Sequence, residues 1–301
     1  MPARETTTWL LVAMVIANMV LLVAAIADEW KPPKEFMEIR KRITALGRTK
    51  NLSEVEKRNR LTQLDALGRE IEREWRQTDV ETYARLTLKI CGRLGALDLV
   101  GPQRHHLAQS FAIRALEKAD DMPLDVECRL VRNVQRKTDV DGKPIEGEAR
   151  AQLRRRQATL WLHAWQRIEN TIDKNWDPNK TRYAKVCPPA ATGLSPGVAP
   201  SAIKDPKLRA EYEAAIEANR QKIARATLQI RARDLKKYWI PGAERFIIRS
   251  YIEAPAGDDE LKSLLDSYVS DLAKRARILD AVKNKKMPDD LILRNTTRPA
   301  K

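Results

Sequence analysis

Three short stretches of this sequence place chemically competent residues at the spacing of a known kind of site. The first, GLSPG at residues 193–197, matches the G-x-S-x-G nucleophile elbow of serine hydrolases. That motif needs a strand before it, a helix after it, and Asp and His later in the chain. Here the flanks are rich in proline, and the last histidine, His163, precedes Ser195. The sequence therefore predicts a turn at Ser195 and no catalytic residues of this type.

The other two stretches carry potential metal ligands. Residues 137–148 can be aligned with a calcium-binding loop, but the first ligand position falls on Lys137 and Pro144 interrupts the loop. An Asp-Gly turn at Asp141 is the better interpretation. His105 and His106 are adjacent, so on a helix they point about 100° apart and cannot both face one ion. We therefore expect no metal site and no cofactor.

Carboxylate pairs give no clearer sign of catalysis. Glu169 and Asp173 lie four residues apart. In a chain rich in Arg and Lys, such carboxylates most often form surface ion pairs with basic residues. No phosphate-binding glycine loop is present in the sequence either. A conventional enzyme is the weaker hypothesis, although a cell-wall enzyme with an unrecognised carboxylate site stays open.

An apolar stretch near the amino terminus determines which compartment the chain meets. Residues 9–27 carry no charge, and a helix of that length spans roughly 28 Å, close to a hydrocarbon core of about 30 Å. Ala25 and Ala27, followed by Asp28, form the small-x-small pattern that signal peptidase cleaves. The seven basic residues within 31–50 would instead favour an uncleaved helix with the following domain in the cytoplasm. Residues 1–30 are thus a signal peptide or a membrane anchor, and an exported or outward-facing protein is favoured over a cytoplasm-facing one.

The charge balance bears on partners. Lys and Arg number 56 against 41 Asp and Glu, which gives a net charge of +15. Such a balance favours anionic partners, whether nucleic acid, acidic lipid or cell-wall polymer, and also suits a well-solvated helical surface. The cysteines, Cys91, Cys128 and Cys187, are too few for a disulfide framework. Cys91 and Cys128 lie in apolar periodic stretches, which predicts buried thiols.

Nearly every segment beyond residue 33 has apolar residues at helical spacing, which predicts an all-α fold. A helical domain is expected at 31–186, with one helix starting at a capping box formed by Ser53 and Glu56. Segments 80–97 and 103–118 are also predicted helices, and 124–135 is interpreted as helix rather than strand because its neighbours are helical.

A long helix over about 146–175 carries the most distinctive pattern of the chain. Trp161, Trp165 and Trp176 recur at helical spacing as an aromatic stripe, with Ile168 and Ile172 between them. Such a stripe is typical of a packed core, whereas an exposed one could stack on sugar rings or on a partner helix.

Composition changes at residues 187–206, where five prolines predict an extended linker or strap. A second helical unit is expected at 207–285, followed by a tail at 286–301. It would contain helices at 207–239, 242–252, 258–269 and 270–284. The sequence therefore predicts two bundle-like helical units joined by the proline-rich strap.

The helix predicted at 207–239 has two features that could bind partners. Apolar residues alternate at spacings of four and three around a polar Asn, which is typical of a short coiled-coil-like seam. This candidate helix-pairing seam comprises Tyr212, Ile216, Asn219, Ile223 and Ile230. Packing of the seam within the same chain is an equally favoured interpretation. The basic end of the helix is a candidate anion patch, formed by Arg220, Lys222, Arg225, Arg231, Arg233, Lys236 and Lys237.

Three phrases of the sequence, WLHAWQRIENTIDKNWD, PPAATGLSPGVAPSAIKDPKLRAEYEAAIEANRQK and AERFIIRSY, occur in that order. Their Trp-rich helix, Pro-rich strap and long charged helix resemble those of a group of uncharacterised exported bacterial proteins. The resemblance covers roughly residues 124–282 and implies a bacterial envelope protein, but it brings no known activity with it.

The leader, the helical patterning and the incomplete catalytic motifs together favour a non-enzymatic, exported or membrane-tethered structural or protein-interaction module. Its expected contacts are the membrane through the amino-terminal helix and a protein partner through the seam, with no small-molecule ligand. The alternative is a membrane-anchored basic protein that binds nucleic acid or anionic lipid without sequence specificity.

Overall fold

The structure is a computed structural model that describes residues 32–46, 52–97, 103–134, 143–176, 201, 203–253 and 258–292. These ranges are helical and contain no β-strand, so the prediction of an all-α fold is confirmed. The leader with Ala25, Ala27 and Asp28, and most of the proline-rich segment, lie outside them. Among the described helices, none combines the length and the apolar character needed to cross a bilayer.

The chain divides into two compact units. The larger unit comprises the described residues within 32–170 and 234–292, and the smaller comprises those within 171–233. The predicted boundary at 187–206 falls within the sequence of the smaller unit. The domain limits read from the sequence stay predictions.

The first part of the larger unit contains helices α1 (Lys34–Leu46), α2 (Glu54–Trp75), α3 (Val80–Ala96), α4 (Gln103–Leu116) and α5 (Leu124–Val131). The predicted capping box is confirmed, since Ser53 Oγ accepts from the Glu56 N–H at 3.3 Å and Glu56 accepts from the Ser53 N–H at 2.8 Å. Residues 124–131 are helical, as expected. Side chains from these helices form a closed apolar core, which includes Leu64, Ile71, Tyr83, Leu86, Ile90, Leu94, Phe111 and Leu130.

Beyond α5 the described elements are α6 (Gly147–Thr171), α7 (Pro206–Glu253), α8 (Asp258–Tyr268), α9 (Leu272–Lys283) and a 3-10 turn at Asp289–Leu291. The prediction of separate helices at 207–239 and 242–252 is wrong, because α7 runs without interruption through Pro241. A proline removes one helical N–H donor, that for the Lys237 carbonyl. The buried residues Trp239, Ile240 and Ala243 surround it, and their packing keeps the segment helical.

Polar contacts fix α6 against its neighbours in the larger unit. Arg154 donates to Glu253 at the end of α7 at 2.9 Å, and Arg155 donates to Glu260 of α8 at 3.0 Å. Gln166 donates to the Ser267 carbonyl at 3.2 Å. Trp165, fully buried, packs on the same side of the unit with the Lys274 ammonium 5.2 Å from its ring centroid. These contacts define the positions of α6 and of the carboxyl-terminal part of α7, where the candidate site lies.

Candidate binding site

A cavity of about 690 Å³ opens in the larger unit. Four segments line it: Arg132, which directly follows α5, the middle of α6, the stretch 238–249 of α7, and the chain after α9. The lining residues are Arg132, Trp161, Tyr238, Trp239, Gly242, Arg245, Phe246, Arg249, Met287, Leu291 and Ile292. Its volume is within the range of about 300–1,000 Å³ that ligand sites occupy.

Aromatic rings form one wall of this cavity. Trp161 stacks on Trp239 with ring centroids 4.2 Å apart and on Phe246 with centroids 5.0 Å apart. Trp161 is 5% exposed and Trp239 is 1% exposed, so both indoles are held rigidly. Their Nε1 atoms are buried without a hydrogen-bond partner in the described part of the chain. A buried indole N–H usually finds an acceptor, but both of these atoms are buried away from solvent, so neither donor is exposed to the cavity.

Three guanidinium groups surround the aromatic wall. Arg132 lies over the Trp239 ring, 5.1 Å from its centroid, and Arg249 donates to Glu253 at 2.6 Å. Neither Arg132 nor Arg245 forms an ion pair with a carboxylate of the described residues, and no carboxylate lines the cavity. The site is therefore electropositive over an apolar surface.

One face of α7 supplies most of the lining. Tyr238, Gly242, Arg245 and Arg249 follow at spacings of four, three and four, which places them in one row along the helix. A Cβ atom placed on Gly242 would meet no heavy atom within 4 Å. Glycine at this position leaves the middle of the row open, and the long side chains stand at its two ends.

The cavity has the chemistry of a binding site. It contains neither imidazole, carboxylate nor thiol, the groups that most often transfer protons or attack substrates. Guanidinium groups recognise carboxylates and phosphates in bidentate fashion, and aromatic faces bind flat apolar groups. This combination is suited to a ligand that is both anionic and apolar.

A separate polar cluster fixes α5 and α6 to the 3-10 turn at Ala119–Asp121. Glu127 is 1% exposed and accepts from Arg167 at 2.6 Å, while its other oxygen lies 2.7 Å from His163 Nδ1. His163 Nε2 lies 3.1 Å from Asp120, and the hydrogen bond to Glu127 raises the pKa of His163. Arg167 also donates to the backbone carbonyl of Ala119. We interpret this cluster as structural, because Arg167 bonds to the backbone of the turn that it holds in place.

The described thiols are poor nucleophiles. Cys91 and Cys128 are buried, as predicted, and neither forms a disulfide. Burial raises the pKa of Cys91 to about 12, and it also raises the pKa of Cys128. Cys187 lies outside the described residues. No group of His, Cys, Asp and Glu within the described ranges is arranged to hold a metal ion.

The aromatic stripe is divided between the two units. Trp161 and Trp165 are buried in the larger unit, and only Trp161 lines the cavity. Trp176 is buried in the smaller unit, where the Arg233 guanidinium lies 4.5 Å from its ring centroid. An exposed stacking surface is therefore not formed by these three residues.

The candidate seam is described only in part. Tyr212 is buried, Ile230 is 39% exposed, and the side chains of Ile216, Asn219 and Ile223 lie outside the described residues. Its role in helix pairing stays a prediction.

Several cations of the candidate anion patch have local partners. In the smaller unit, Arg225 forms an ion pair with Asp173 at 3.0 Å and Arg233 donates to the Trp176 carbonyl at 2.9 Å. In the larger unit, Lys236 lies 3.8 Å from Glu169, and the Lys237 ammonium lies 5.2 Å from the Tyr238 ring centroid. Lys222 and Arg231 are exposed, and the side chain of Arg220 is outside the described residues.

Sequence reasoning missed the arginines of the cavity. The row at positions 238, 242, 245 and 249 is visible in the sequence, but an Arg-rich helix has many such rows. The signal that could have distinguished this row is the combination of an aromatic residue, a helical glycine and two arginines on one helix face.

Comparisons with protein-family models, with characterised proteins and with solved structures find no match for this chain. The resemblance to exported helical bacterial proteins therefore stays a prediction.

Proposed function

We propose that this chain is a non-enzymatic protein of the bacterial envelope, exported or tethered to the membrane, that acts as a protein-interaction module. The observation that carries the binding role is the cavity lining, in which three arginines and four aromatic residues occur without an imidazole, carboxylate or thiol. Trp, Tyr and Arg are the residue types that dominate the binding energy of protein interfaces. The envelope location rests on the apolar stretch 9–27 and on the small-x-small pattern at Ala25–Ala27.

The mouth of the cavity also supports a protein partner. Tyr238 is 69% exposed and Ile292 is 51% exposed, although both lie beside the buried Trp239. Exposed aromatic and apolar side chains beside arginines are typical of a surface that a partner covers.

Site-specific photocrosslinking in living cells tests this role. A photoreactive amino acid replaces Tyr238 in one variant and Val55 in the other, and Val55 is a matched control because it is 68% exposed and does not line the cavity. We expect a discrete protein adduct from position 238 that is absent from position 55 and is lost when Arg132 and Arg245 are both replaced by Gln. The same adducts from both positions, or none from position 238, would contradict the proposal.

The alternative role, binding of nucleic acid or anionic lipid through the basic end of α7, has weaker support. Arg225 and Lys236 already lie beside carboxylates, and Arg233 is bonded to a backbone carbonyl. Retention of the protein on an anionic matrix at low salt, lost at physiological salt, would favour this alternative. Turnover of isolated wall polymer that depends on one carboxylate would favour an enzyme instead.

A further inference from the structure

We infer that the cavity recognises an acidic segment of a partner protein, in which carboxylates flank an aromatic or other bulky apolar side chain. This inference rests on the proposed interaction role and adds to it the chemistry of the partner. It assigns the carboxylates to Arg132 and Arg245 and the apolar side chain to the accessible apolar part of the lining, formed by Phe246, Met287 and Ile292.

Charge complementarity identifies the acidic part. Arg132 and Arg245 lack an acidic partner among the described residues, whereas Arg249 is already bonded to Glu253. No lining residue is acidic. A partner that brings carboxylates to the first two arginines forms charge-assisted hydrogen bonds, and it displaces no ion pair of the protein itself.

The aromatic wall identifies the apolar part. Trp161 is stacked between Trp239 and Phe246 and is buried, so the wall is rigid before a ligand arrives. The wall supports the accessible apolar lining, which consists of Phe246, Met287 and Ile292. A flat side chain that covers these three residues gains contact area at little conformational cost.

The mouth favours a peptide over a lipid headgroup or a nucleic acid strand. An extended chain continues past the cavity and covers Tyr238 and Ile292, which a small ligand inside the cavity would leave exposed. Gly242 leaves open space at the centre of the row, so a peptide backbone can approach α7 closely there. Nucleic acid binding draws on many phosphate contacts, whereas only two cations without an acidic partner line this cavity.

Selection from a random peptide library displayed on phage tests the inference with the whole 301-residue chain in non-ionic detergent. The Gly242→Leu variant serves for counter-selection, because a leucine side chain at this position extends into the cavity. We expect the enriched peptides to combine Asp or Glu with Phe, Tyr or Trp. Enrichment of basic or uncharged peptides, or of peptides that bind the Gly242→Leu variant equally well, would overturn the inference.

Fluorescence anisotropy with the most enriched peptide then assigns the contacts. Gly242→Leu and the pair Arg132→Gln with Arg245→Gln should each weaken binding by about tenfold or more. Gly95→Leu is the matched control, since Gly95 is a helical glycine that, like Gly242, has no neighbour within 4 Å of its Cβ position, and it does not line the cavity, so this variant should bind normally. Circular dichroism confirms that each variant is folded, and unchanged affinity in the folded arginine variant would overturn the assignment.

The outcomes separate this inference from the proposed function. If the crosslink at position 238 persists while no acidic aromatic peptide is selected, the interaction role stands and the partner chemistry is wrong. If vesicles containing anionic phospholipid bind in a Gly242-dependent manner and peptides do not, a lipid is the occupant and the inference is overturned. If neither crosslink nor ligand is found, the interaction role is contradicted as well.

Discussion

Replacing Gly68 by alanine tests how closely α2 and α4 approach in the larger unit. A Cβ atom on Gly68 would lie 2.3 Å from Cζ of Phe111 and within 2.8 Å of two further atoms of that ring. Real Cβ contacts this short essentially do not occur, so the ring or a helix has to move. Phe111 is fully buried, and the Arg114 guanidinium lies 4.8 Å from its ring centroid, which leaves the ring little freedom.

Two opposing effects determine the magnitude for Gly68→Ala. Alanine is favoured over glycine in a helix interior by about 1 kcal/mol. Forcing an extra methyl group into a packed core typically costs about 1–3 kcal/mol, and the upper part of this range applies because the obstacle is a buried ring. We therefore expect a net loss of about 1–2 kcal/mol in the free energy of unfolding.

Urea unfolding followed by far-UV circular dichroism measures this loss. Gly95→Ala is the matched control, because Gly95 is exposed on α3 and its Cβ position has no neighbour within 4 Å. It should gain up to about 1 kcal/mol, so the two glycines should give changes of opposite sign. Replacing Phe111 by leucine should recover part of the loss in the Gly68→Ala background. Equal stability of the two alanine variants would refute the close approach of α2 and α4.

Three further results are expected. The hydrogen bond to Glu127 raises the pKa of His163 above 6.5, so the stability that the protonated His163 contributes is complete below about pH 6.5 and is lost as the pH rises through the folded pKa. The urea midpoint should fall over that pH range, and His163→Gln should remove this pH dependence. Glu127→Gln should lower the free energy of unfolding by about 1–3 kcal/mol, because it weakens the charge-assisted hydrogen bonds that Glu127 accepts from Arg167 and His163, and unchanged stability would contradict that role. In a Cys187→Ser background, Ellman's reagent should consume no thiol before denaturant is added, since Cys91 and Cys128 are buried, and labelling of the native protein would show that one of them is accessible.

Most of the helical framework could be predicted because its determinants are local. Segments predicted at 80–97 and 103–118 correspond to helices at 80–96 and 103–116, and the capping box at Ser53 lies immediately before α2. Apolar spacing and end caps act over a few residues, so one sequence is enough to reveal them. The helix break predicted at Pro241 is wrong, because the tertiary packing that keeps this segment helical cannot be read from a few neighbouring residues.

The cavity could not be predicted, since its lining is assembled from residues distant in sequence. Arg132, Trp161 and Arg245 are brought together only by the packing of α5, α6 and α7. Periodicity showed that Trp161 lies on an apolar face, but it gave no information about which residues lie opposite. Nor could it tell the two arginines from others on a strongly basic chain, because the absence of an acidic partner is a property of the folded state.

The sequence of α7 nevertheless carries one anomaly at the site. Pro241 is the internal proline of this helix, and Gly242 is the one glycine among its residues. In a helix interior, proline is less favourable than alanine by about 3 kcal/mol and glycine by about 1 kcal/mol. Alanine at position 242 would encounter no steric obstacle, so packing does not require the glycine. Positions that break a local rule without a structural need tend to be functional. The unfavourable pair lies in the one stretch of α7 that lines the cavity, and an open position 242 is what a close-approaching ligand would need.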